Sequence, residues 1–267
     1  MLVEPERTPY DLRFRVLRFP VRVHPWFWIV SVLMGANVLQ AFGAEYLLAW
    51  VVAVFVSILI HELGHALAFR RFGVDSEVVL YAFGGLAVPW SHVAGRGRRI
   101  IVSLAGPFAG FVLCGLVYAS NQFAPWARSR PMGEPWPRVP SAIDFFYDAM
   151  IFVNLIWGLV NLLPVLPLDG GHVSREVCGR LLGPRGKRVA LQISFGCALL
   201  LVAYSIFCEM DARGMGAGLT DQFPVWLPPG TVYTAILFGV LAYQSYQLLG
   251  RTSWEDTHWD DKAPWER

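Results

Sequence analysis

The sequence predicts an all-α polytopic membrane protein: about six transmembrane helices, with a short re-entrant β-hairpin after the second. Three observations carry this expectation. Hydrophobic residues make up 55% of the 267 and charged residues only 16%, too few charges to coat a soluble domain of this length. Several apolar stretches reach the roughly 20 residues that a helix needs to cross a bilayer. The basic residues, finally, are spread very unevenly among the stretches that join those segments.

Residues 1–25 form a basic N-terminal segment holding Arg7, Arg13, Arg15, Arg18 and Arg22. It carries no apolar core of signal-peptide type, so the first hydrophobic segment is expected to serve as an uncleaved anchor. Pro25-Trp26-Phe27-Trp28 is an aromatic cluster of the kind found at membrane interfaces. Spans are expected at about 26–42, 46–69, 100–120, 147–166, 189–207 and 231–249, which makes 26–250 one membrane domain followed by a tail, 251–267. After the second span, 78–83, Gly84-Gly85 and 86–89 read as two short strands joined by a glycine turn. Non-helical backbone is tolerated at membrane depth only against protein or a wet cavity, which makes this hairpin a re-entrant or interfacial element. Gly106 and Gly110 in the third span make a G-x-x-x-G step for close helix packing. The proline-rich stretch 121–146 reads as an irregular loop.

Six spans put both termini on one side. That side carries eighteen of the 22 Lys and Arg residues, so the positive-inside rule makes both termini cytoplasmic, in the plasma or inner membrane. The net charge of +2 gives no reason to expect a nucleic-acid partner; the apolar spans make the lipid bilayer the expected partner.

The second span ends in His61-Glu62-Leu63-Gly64-His65. Ionisable groups at the edge of an apolar run are costly and point to function. Residues four apart share a helix face, so His61 and His65 can hold one Zn²⁺ while Glu62 stands beside it as general base. A catalytic zinc takes three protein ligands and an open position. Asp169 is the best-placed candidate for the third, because the fourth span runs in the same direction as the second and brings it to the same depth. Pro167 and Gly170-Gly171 around it favour a tight approach of the chain. Asn154, Gly158 and Asn161 fall on one small, polar stripe of the fourth span, expected to face the bundle interior. His24 is placed where it could approach the metal from the first span, though the interfacial reading is favoured; His92 and His172 read as polar loop residues, His258 as incidental in the tail, and the four cysteines as structural.

The ordered set H-E-L-G-H, the hairpin G-G, S-L-A-G-P-F-A-G and N-L-L-P-V-L-P-L-D-G-G, over roughly 20–180, resembles the site-2 protease family of intramembrane zinc metalloproteases. The resemblance implies one zinc held by His61, His65 and Asp169, with Glu62 as catalytic glutamate. It implies a place for Asn161 near the active centre, as a donor to substrate or oxyanion. It also implies cleavage of a peptide bond in or near the membrane segment of a substrate protein. On this reading Gly84, Gly85 and Asn154 contribute to substrate binding, and an unwound substrate adds to the hairpin as an extra strand. Two rivals stand beside it. One is a membrane zinc hydrolase of prenyl-protein endopeptidase type, and the other a zinc-binding receptor or transporter without proteolysis.

Overall fold

A computed structural model describes residues 5–82, 84–123, 141–214 and 230–255, with the backbone alone described at 121–123 and 251–255. The chain divides into two compact units at Leu162/Leu163.

The first unit opens with a hairpin of β1 (Leu12–Val16) and β2 (Phe19–Val23). Helix α1 (Pro25–Met34) follows, then a break at Gly35 and α2 (Ala36–Phe42), the two helices bent by 50°. At this break the Ser31 carbonyl accepts both the Gly35 amide and the Trp50 indole N–H. Helix α3 (Ala44–Arg71) is 28 residues long, about 42 Å, ample for the hydrocarbon core. Glu45 in its first turn and Arg70 and Arg71 in its last complement the helix dipole.

Strands β3 (Ser76–Tyr81) and β4 (Gly84–Pro89) complete a sheet of order β1-β2-β3-β4, in which β2 and β3 run parallel. The unit closes with α4 (Arg96–Phe123) and then a composite helix. That helix comprises α5 (Ala142–Phe152), a π-helical turn at Val153–Trp157, and α6 (Gly158–Asn161). Val21, Val23, Val78 and Leu80 from the sheet pack with Phe27, Val54, Ile58, Leu59 and Leu63 from the helices in one apolar core.

The second unit holds α7 (Asp169–Leu182), α8 (Gly186–Ala212) and α9 (Val232–Glu255). Helices α8 and α9 pack along each other, tied by Ser194–Ser245 at 2.8 Å and Ser205–Thr234 at 3.0 Å. Ser194 Oγ also accepts from the Leu166 amide at 2.8 Å.

Among the described residues five helices are long and apolar enough to cross a membrane, or six if the bent α1–α2 pair makes one span. Outward-facing apolar residues such as Phe108, Leu116, Leu200 and Ile236 suit contact with lipid chains. The protein is thus an integral membrane protein with a small β-sheet.

Several expectations need correction. Residues 12–23, read as part of a plain basic segment, form two strands, and Arg22 is fully buried in them. The alternating pattern Leu12-Arg13-Phe14-Arg15-Val16 carried that signal. Where one span of 26–42 was expected, the chain forms two helices bent by 50°. The helical residues of the fourth span are 142–161, set earlier than 147–166. The stretch after Asp169 is helical, where a loop was expected. Helix α9 runs on to Glu255, past the expected end of the sixth span. Gly84 and Gly85 lie within β4, opposite Tyr81 and Leu80, and do not form the turn. Most of the 121–146 stretch and of the tail falls outside the described residues.

The buried Arg22 is met by the Asp11 carboxylate at 3.3 Å and by Glu77 at 3.7 Å. Burial pushes the Asp11 carboxyl up, but hydrogen bonds from the Thr8 hydroxyl and amide and from Arg22 outweigh it, so the group lies below its ordinary 3.8. A depressed carboxyl contributes stability that is present above the unfolded-state pKa and lost as pH falls through the folded one. The β1–β2 sheet is therefore expected to hold its stability from neutral pH down to about pH 5 and to lose it below about pH 4. Amide exchange of residues 12–23 across that range checks this, with Asp11→Asn expected to be weaker at neutral pH and flat through the same window.

Candidate metal centre and active site

Six consecutive residues of α3, His61 to Ala66, are buried. An α-helix shows all its faces within such a stretch, so the motif is enclosed on every side. Helix α4 and the β3–β4 hairpin are among its walls.

The two imidazoles converge. His61 Nε2 and His65 Nε2 lie 3.2 Å apart, with the rings edge to face. His65 Nδ1 lies 2.7 Å from the Val102 carbonyl of α4. That carbonyl can only accept, so Nδ1 carries the proton, and in the neutral ring Nε2 is the nitrogen suited to a metal. This is the outer-shell arrangement that orients a metal-bound histidine. Tetrahedral zinc with ordinary Zn–N bonds places two ligand nitrogens about 3.3 Å apart, so the pair fits that ion without rearrangement.

Gly106 of α4 faces the His65 ring so closely that a Cβ there would overlap Nε2. Gly110, one turn on, faces Asn154, whose Oδ1 would lie 3.5 Å from an added Cβ. The G-x-x-x-G step thus serves the site as well as helix packing, a role that its sequence alone did not distinguish.

Glu62, next to His61, is 5% exposed. The backbone of Gly85 in β4 lies directly against it: a Cβ on Gly85 would overlap Glu62 Cγ and come within 2.6 Å of Oε1. Gly84 sits beside the Trp157 ring, with 4.0 Å between that ring and an added Cβ. Strand β4 is the edge of the sheet, and β3 is its only strand partner among the described residues.

The expected stripe on the fourth span is buried at Asn154, Gly158 and Asn161. Asn154 donates to Ser57 Oγ at 2.8 Å and to the Met150 carbonyl at 2.7 Å, which ties the π turn to α3. Asn161 donates one N–H to the Trp157 carbonyl at 3.1 Å. In the second unit Asp169 is the first residue of α7, and Gly171 packs on the backbone of Val165 and Leu166. His92 is exposed and His172 half-buried. His24 is buried, where an interfacial residue was expected; its Nδ1 accepts from the Trp26 amide at the start of α1.

Residues 49–126 and 136–202, more than half of the chain, match peptidase family M50. The chain belongs to this family, the site-2 proteases. It is 24% identical over 201 residues to zinc metalloprotease MJ0392 of Methanocaldococcus jannaschii, covering 74% of this chain and 54% of that protein. It is 32% identical over 201 residues to Rip3 of Mycobacterium tuberculosis, covering 74% of this chain and 45% of that one. The chain therefore spans about half the length of these curated relatives. The solved site-2 protease from Methanocaldococcus jannaschii shares its fold, with a TM-score of 0.56 over 90% of this chain and 95% of the other, at 20% identity. Membership of family M50 sets aside the prenyl-protein endopeptidase reading.

Proposed function

We propose that this M50 protein is a zinc-dependent intramembrane endopeptidase that cleaves a peptide bond in or near the membrane segment of a protein substrate. The observation that carries the reading is the pair of converging Nε2 atoms with Glu62 beside them under a strand edge. One zinc is held by His61, His65 and Asp169. Asp169 is the carboxylate that the family motif supplies, and it starts a helix, where the chain emerges from a turn at Pro167. When bound, the ion supplies Lewis-acid polarisation of the scissile carbonyl and acidifies a water molecule.

The chain's own residues do the rest. Glu62 takes the proton of the attacking water at a carboxylate oxygen and delivers it to the leaving amine. The second N–H of Asn161 serves as a donor to the developing oxyanion. Strand β4 offers its free edge at Gly84 and Gly85 to an unwound substrate segment, whose backbone polar groups it satisfies. Asn154, with both amide protons engaged, contributes its carbonyl oxygen to substrate. The basic bias of the sequence supports cytoplasmic termini and a plasma- or inner-membrane location.

The test uses full-length protein in lipid vesicles with a single-span substrate. A chelator is expected to stop cleavage and added zinc to restore it. Asp169→Ala is expected to weaken zinc binding by more than the roughly 10–100-fold that loss of an outer-shell partner costs. Cleavage that ignores chelation, or full zinc content and activity in Asp169→Ala, overturns the assignment.

A further inference from the structure

We infer that His24 is a positioning residue for catalysis: through Tyr81 it registers the β3–β4 hairpin over Glu62. The inference rests on the endopeptidase reading of that glutamate. His24 lies at the end of β2 and the start of α1, remote in sequence from the zinc motif. It makes three separate attachments. Its amide donates to the Leu80 carbonyl at 2.9 Å, carrying the β2–β3 pairing one residue further. Its Nδ1 accepts the Trp26 amide at 3.2 Å and so caps α1. Its ring meets Tyr81 edge to face, with centroids 5.0 Å apart.

The cap fixes more than the helix end. A ring nitrogen that accepts a backbone N–H is deprotonated, so the proton sits on Nε2 and the ring plane is set. Tyr81 is held by that plane, and Tyr81 is the last residue of β3. The next residue, Ala82, has φ 30°, a left-handed conformation that a residue with a side chain adopts only under constraint. A contact that anchors Tyr81 fixes the end of β3 just before the strained Ala82. Across the turn, Tyr81 pairs with Gly84 and Leu80 with Gly85. Gly85 is the residue whose backbone rests on Glu62. The first membrane helix is thus linked to the catalytic carboxylate through His24, Tyr81 and β4.

Two variants separate the cap from the ring contact. His24→Asn keeps a side-chain acceptor at the N-cap and removes the ring. Tyr81→Leu removes the other ring and leaves the cap untouched. Zinc-loaded full-length protein in lipid nanodiscs is measured in two ways. Amide exchange of 78–88 is expected to be faster in both variants, with exchange in α3 and α8 unchanged. Cleavage is expected to lose about 10–100-fold in kcat, with KM and zinc content unchanged. The double variant is expected to be no worse than either single one, because both remove the same contact. Unchanged hairpin exchange in His24→Asn, or losses that add in the double variant, overturns the inference. If His24→Asn does not fold, Tyr81→Leu carries the same exchange test. If wild type and Glu62→Gln both fail to cleave, the proteolytic reading fails, and the exchange data still decide whether His24 sets the hairpin.

Discussion

Replacing Glu62 with glutamine is expected to lower kcat by about 10²–10⁴-fold, the range that a positioned general acid–base contributes. Zinc content should stay at the wild-type level. Glutamine has the same shape, so it keeps the packing of Cγ beneath Gly85. His65 keeps its place, because the Val102 carbonyl holds it from α4. What the variant loses is a site that can accept a proton from water and release it to an amine. An uncharged, intact site also retains substrate, so Glu62→Gln is expected to co-purify with uncleaved membrane proteins that wild type does not hold. Zinc analysis and turnover of a single-span substrate in vesicles check the result. Turnover near the wild-type rate would remove Glu62 from the chemistry and return the zinc-binding receptor reading to the front.

The zinc motif was legible in the sequence because two independent signals coincide there. The apolar run at 47–60 requires a buried helix, and the spacing of His61 and His65 places both on one face of it. The burial of the small, polar stripe at Asn154, Gly158 and Asn161 was legible for the same reason. Other features were hidden by competing signals. Arg13, Arg15 and Arg22 counted toward topology, which masked the two-residue alternation of β1 and β2. Arg22, moreover, is spent on Asp11 and Glu77 inside the fold and is not available to lipid phosphate. The π turn at Val153–Trp157 has no signature in residue type, and the tie it carries from Asn154 to Ser57 joins residues 97 apart in sequence. Gly84-Gly85 followed the rule that paired glycines make hairpin turns. Here the glycines are strand residues, and at Gly85 the reason is tertiary: a side chain would displace Glu62.

That reason yields the second large effect. Gly85→Ala places a methyl group onto Glu62 Cγ and within 2.6 Å of Oε1. Strand β4 is fixed on its other side by β3, so the carboxylate must give way. Overpacking a buried site costs about 1–3 kcal/mol, which the fold can bear. A displacement of about 1 Å at the reacting groups costs about 10²-fold in rate, so kcat is expected to fall by that order. Zinc should remain bound, because the atoms nearest the added methyl belong to Glu62 and not to a histidine. Gly106→Ala is the counterpart. Its methyl falls on the His65 ring and overlaps Nε2, the atom proposed to bind zinc. Turning the ring away breaks the bond from Nδ1 to Val102, so zinc affinity is expected to drop by about 10–100-fold and activity to return as zinc is raised. One methyl group therefore removes the chemistry without the metal, and the other removes the metal without the chemistry. Zinc titration with parallel turnover measurements distinguishes them. Zinc rescue of Gly85→Ala, or full zinc affinity in Gly106→Ala, would show that the hairpin and α4 do not divide the site in this way.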